Sequence, residues 1–115
     1  MTIGDSISNS GNGFGKILVV DDDINVNKTL SAFLKKLGYD ILNAFNGAEA
    51  VSVLEKNADV DLVITDLKMP IMNGRELLSM MSERFNSVPR IVLTAAGSDE
   101  DIIHALKTGA YDFLT

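Results

Sequence analysis

Five short apolar runs recur along the chain with amphipathic stretches between them: KILVV (16–20), DILNAF (40–45), DLVIT (61–65), RIVLT (90–94) and DFL (112–114). This alternation constrains the fold more than any other feature. Runs of this length, rich in Val, Ile and Leu, read as strands. The stretches between them carry helical spacing. Leu30, Phe33, Leu34 and Leu37 fall at i, i+3, i+4 and i+7, with Gly38 where a helix would stop. Ala50, Val51, Leu54 and Ala58 outline a second helix, with Asn46 as its N-cap, and Leu77, Leu78, Met81 and Phe85 a third. Ile102, Ile103 and Leu106 mark a fourth, opened by the capping-box pair Ser98 and Asp101 and closed by Gly109. Strands that alternate with helices imply right-handed crossovers and a parallel sheet covered on both faces. ILVV and LVI, apolar without interruption, suit central strands buried on both sides. The expected fold class is α/β.

The 115 residues fit one domain, and 46% hydrophobic content fits a folded core. Residues 1–15, MTIGDSISNSGNGFG, are rich in Gly, Ser and Asn without any sustained period, and are expected to form a flexible leader outside the fold. Ten basic against 16 acidic residues give a net charge of -6. Such a field repels a phosphate backbone, so this segment is expected to bind no nucleic acid. The chain has no cysteine, which excludes disulfides and thiolate metal sites. It has no apolar stretch near the ~20 residues of a membrane span and no secretory leader, so the expected setting is cytoplasmic and away from the membrane.

In open α/β sheets, sites form beyond the carboxyl ends of the strands, where strand order reverses. Asp21, Asp22 and Asp23 follow the first strand, Asp66 follows the third, and Thr94 closes the fourth. Carboxylates gathered at one sheet edge raise one another's pKa unless a cation joins them. Oxygen ligands without cysteine favour a hard ion, and two or three carboxylates with water suit octahedral Mg2+. A carboxylate beside Mg2+ is also able to attack phosphorus and form an aspartyl phosphate. Asp66, alone at its strand end, is the candidate phosphoacceptor, with Asp21 and Asp22 placed to hold the metal. Thr94 offers a hydroxyl to a phosphoryl oxygen. In the segment after Asp66, LKMPIMNG, Pro70 and the Asn73–Gly74 turn signal shape a loop that aims the backbone carbonyl of Lys68 at the ion.

Taken together, ILVVDDD, DLVITDLKMPIMNG, IVLTAAG and GAYDFL, in this order and spacing, resemble the receiver domain of two-component response regulators over residues 16–115. The resemblance implies a flavodoxin-like, doubly wound, five-stranded parallel sheet in strand order 2-1-3-4-5. It implies Mg2+ held by Asp21 or Asp22, Asp66 and the Lys68 carbonyl. It further implies phosphorylation of Asp66 by a histidine kinase or phosphotransfer protein, in a domain that assists its own phosphorylation and dephosphorylation without being an enzyme in the usual sense. Thr94 matches the switch hydroxyl, Phe113 the aromatic that follows it, and Ala95 the small residue that leaves the site open. The family places a lysine two residues after FL, followed by a last helix. This chain stops at Thr115, one position short of that lysine, so the domain is expected to be C-terminally incomplete, with room for an output domain beyond Thr115 and for a homodimer.

Blander readings stand beside these. Asp23 fits a helix N-cap, and Asp21 and Asp22 fit a solvated turn. Phe113 is a core aromatic in any case, and the Lys68 side chain a solvated charge. His104, the only histidine, reads as an ordinary helical residue. Met69, Met72, Met80 and Met81 read as packing around the third helix. Two alternatives to a phosphorylated switch remain open: a receiver-like interaction domain that is never phosphorylated, and a Mg2+-dependent phosphohydrolase. Against the second, Lys68 occupies the position where those enzymes carry a general-acid aspartate, and no substrate-binding cap is expected within these 115 residues.

Overall fold

A computed structural model of the protein describes residues 15–66 and 72–93 together with the backbone of 112–114. The elements run β1 (Lys16–Val20), α1 (Ile24–Lys36), β2 (Asp40–Ala44), α2 (Gly47–Lys56), β3 (Leu62–Thr65), α3 (Gly74–Arg84), β4 (Arg90–Leu93) and β5 (Asp112–Leu114). All strand pairings are parallel, and the sheet order is β2-β1-β3-β4-β5. The chain therefore reverses direction across the sheet between β1 and β3, and the carboxyl ends of those two strands form the crevice where such folds place their sites.

Burial on both faces explains the unbroken apolar runs. Leu18, Val20, Ala44 and Val63 meet Ala50 and Leu54 of α2 and Leu77 and Met81 of α3 on one side of the sheet. Ile17, Val19 and Leu34, joined by Leu30, Ile41, Leu62 and Ile64, form the core on the other side, under α1. Helix α1 lies over β1 and β2.

Helix ends follow local chemistry. The Asn46 side chain accepts from the Glu49 N–H at 2.9 Å, as its N-cap role requires. Asn73 and Glu76 form a reciprocal capping box that starts α3. Helix α2 ends at Lys56, two residues before the expected Ala58. Asn57 breaks it: its backbone leaves the helical region, and its side chain bonds back to the Val53 carbonyl at 2.9 Å.

The first helix forms where the period places it, and only part of its apolar stripe is buried. Phe33 and Leu37 of the apolar stripe are 58% and 51% exposed, while Asn27 and Ser31 are buried beside Leu34. The buried face turns toward polar residues because the β1–α1 loop and the end of β2 offer carbonyls there that need donors. The predicted fourth helix, with Ile102, Ile103, Leu106 and His104, lies outside the described residues.

Candidate functional site

Register builds the site. Val20 pairs with Thr65, so the residues that follow, Asp21 and Asp66, leave neighbouring strands side by side. The Asp66 N–H donates to the Val20 carbonyl at 3.0 Å, which extends the ladder by one residue and fixes where the Asp66 side chain departs. Asp21 is held from the opposite neighbour: its N–H donates to the Ala44 carbonyl of β2 at 3.2 Å. Its carboxylate accepts from the Asp23 N–H at 2.9 Å, an Asx turn that folds the loop tightly before α1 begins.

One carboxylate oxygen from each of Asp21, Asp22 and Asp66 lies within 4.8 Å of the others. Asp21 and Asp66 are half-buried and Asp22 is exposed. The crowding is felt electrostatically. Burial pushes the Asp21 carboxyl above its usual range, and the charges of Asp66, Asp22 and Asp23 push it the same way, against the lowering effect of the Asp23 N–H bond. Three oxygen donors that repel one another across a few ångströms, with open approach on the Asp22 side, fit a hard divalent cation such as Mg2+.

The three consecutive aspartates thus divide their work. Asp21 and Asp22 face Asp66, whereas Asp23 is the N-cap of α1 and accepts from the Asn25 N–H at 2.9 Å and the Val26 N–H at 3.2 Å. Of the other residues singled out in the sequence, Lys68 and Thr94 lie outside the described residues. Phe113 enters through its backbone alone, paired with Val92 across β4 and β5.

A family model of the response regulator receiver domain matches residues 17–115. The chain belongs to this family. Receiver domains are the phosphoacceptor signalling modules of two-component systems, and the sheet order of this chain agrees with that membership. The receiver domain is 39% identical over 102 residues to the chemotaxis protein CheY1 of Helicobacter pylori, covering 86% of this chain and 82% of that protein. It is 40% identical over 99 residues to the transcriptional regulatory protein GlrR of Escherichia coli, of which it covers only 22%. Among solved structures, a response regulator receiver domain protein from Clostridium thermocellum superposes with a TM-score of 0.82 at 31% identity, over 88% of this chain and 81% of that one. Among the described residues of the receiver domain, no helix is long and apolar enough to cross a membrane.

Sequence reasoning missed Asn27, Ser31 and Asn43, whose side chains bond to one another directly beneath the acidic loop. The available signal was the spacing of Asn27, Ser31 and Leu34 at i, i+4 and i+7, an uncharged stripe on a helix whose lysines lie elsewhere.

Proposed function

We propose that this receiver domain is a cytoplasmic Mg2+-dependent phosphoacceptor in which Asp66 takes a phosphoryl group from a partner histidine kinase or phosphotransfer protein. The observation that carries the reading is the convergence of Asp21, Asp22 and Asp66 to within 4.8 Å at the carboxyl ends of two adjacent strands. In this reading an Asp66 carboxylate oxygen attacks the phosphorus, a P–O bond forms, and the P–N bond to the donor imidazole breaks. Asp21, Asp22 and Asp66, with the Lys68 carbonyl, would hold Mg2+. Mg2+ bound there would neutralise charge on the transferring oxygens. The Thr94 hydroxyl donates to a phosphoryl oxygen and Phe113 follows it; their support is position, Thr94 directly after β4 and Phe113 in the strand beside it. The same acidic edge assists the later hydrolysis of the acyl phosphate. Added charge at Asp66 then biases a two-state surface toward one partner over another.

Intact-mass spectrometry after incubation with acetyl phosphate tests this, with and without Mg2+, on the protein and on Asp66→Ala. A Mg2+-dependent phosphoryl adduct that disappears in the variant is expected. An adduct retained in Asp66→Ala moves the phosphoacceptor elsewhere. No adduct in the unaltered protein favours an unphosphorylated interaction domain.

A further inference from the structure

The Asn27 side chain is 0% exposed, on the face of α1 that meets the sheet. Burying an amide is costly unless its hydrogen-bonding capacity is satisfied. Its two N–H donors are both used, one to the backbone carbonyl of Asp21 at 3.0 Å and one to that of Ala44 at 3.0 Å. Its oxygen accepts from the side chains of Asn43 and, at 3.4 Å, Ser31. One buried side chain therefore joins the start of the acidic loop, the end of β2 and the body of α1.

The consequence falls on Asp21. Its N–H is held by the Ala44 carbonyl and its own carbonyl by Asn27, so both of the peptide groups that flank its Cα are anchored. With its Oδ1 accepting from the Asp23 N–H as well, the direction of the carboxylate is set before any ligand arrives. Asp22, one residue on, is exposed. A metal site whose ligands are pre-aimed loses less freedom on binding, and groups that orient ligands from behind are worth about 10-fold or more in metal affinity.

We propose that Asn27 is the positioning residue of the acidic site: it holds the Asp21 peptide so that the Asp21 carboxylate faces Asp66 in a geometry ready for a divalent cation. This rests on the reading of Asp21, Asp22 and Asp66 as a Mg2+ site and names a residue of α1, outside the acidic loop, that governs its affinity. Asn27 touches neither metal nor phosphoryl group.

Two measurements test it. Mg2+ titration by calorimetry compares the unaltered protein with Asn27→Ala and with Ser31→Ala, which removes a bond from the same network without touching Asp21. Asn27→Ala is expected to raise the Mg2+ Kd about 10-fold, and Ser31→Ala to lower stability while leaving the Kd within about 2-fold. Equal Kd shifts in both variants, or none in Asn27→Ala, overturn the assignment. The second measurement needs no variant. In 15N-resolved NMR of the unaltered protein, Mg2+ is expected to shift the Asn27 side-chain amide signals together with the Asp23 backbone N–H. Saturating Mg2+ that leaves the Asn27 amide unmoved overturns the positioning role alone. Absence of any Mg2+ binding by the unaltered protein overturns the metal reading and this inference with it.

Discussion

The backbone N–H of Gly47 donates to the carbonyl of Met72 at 2.8 Å, and a Cβ placed on Gly47 would lie 2.6 Å from that same oxygen. The first residue of α2 is thus pressed against the segment that leads from the Asp66 loop into α3. A methyl group cannot fit without moving backbone, because the nearest atoms are the Met72 carbonyl oxygen, Cβ and Cγ. Gly47→Ala is expected to destabilise the protein by about 1–3 kcal/mol, the usual cost of overpacking, and to slow phosphoryl adduct formation by shifting the loop that follows Asp66. Urea unfolding and timed intact-mass spectra check both effects. An unchanged denaturation midpoint would show that the loop yields freely.

A pH dependence follows from the raised pKa of Asp21. Because the folded state holds the Asp21 proton more tightly than the unfolded chain does, folding takes up a proton in the window between the ordinary carboxylate value near 3.8 and the raised one. Across that window stability falls as pH rises, and above it the full penalty of the buried, crowded charge persists. Asp21→Asn keeps an acceptor for the Asp23 N–H but removes the charge. In metal-free buffer at pH 7 the variant is expected to melt higher than the unaltered protein, and the difference should close as pH drops below the window. Adding Mg2+ should reverse the order. A lower melting temperature for Asp21→Asn in chelator at pH 7 contradicts the electrostatic account.

Asp23 separates stability from chemistry. As the N-cap of α1 it satisfies two otherwise orphaned N–H groups, of Asn25 and Val26. Asp23→Ala should cost about 1 kcal/mol of stability while still forming the Mg2+-dependent adduct, since its backbone N–H to Asp21 survives. Loss of the adduct in a folded Asp23→Ala protein would bring Asp23 into the site.

Leu34 and Phe33 are adjacent in sequence and opposite in environment, 9% and 58% exposed. Leu34 packs with Ile17 and Val19 in the core under α1. Leu34→Ala is expected to cost about 2–4 kcal/mol, and Phe33→Ala no more than about 0.5 kcal/mol, the ordinary range for surface changes. Chemical denaturation of the pair decides it. Similar losses would mean that the outer stripe of α1 is covered in solution.

Much of the protein was legible because local patterns carry it. The five strands appear where the apolar runs stand, with DILNAF and DLVIT each shortened by one residue at an end. Asn46 caps α2 as its residue type foretells, and Leu77, Leu78 and Met81 are fully buried as their spacing foretells. Asp21, Asp22 and Asp66 converge because strand ends in a parallel sheet share one edge. The period placed α1 without deciding which of its large apolar residues meet the sheet: Leu34 is buried, whereas Phe33 and Leu37 are exposed.

By itself, then, the sequence determined the alternation of the strands with the first three helices, the caps at Asp23 and Asn46, and which carboxylates end up at the carboxyl edge, because each depends on residues a few positions apart or on the polarity common to all strands. Only the tertiary structure decided that Asn27 lies beneath the Asp21 loop, that Gly47 must yield space to Met72, and that Arg90 at the start of β4 is 3% exposed with its guanidinium bonded to the carbonyls of Phe85, Asn86 and Val88. Each of these depends on which backbone groups are left needing partners once the sheet and its helices have packed, and that demand arises between segments that no local pattern connects.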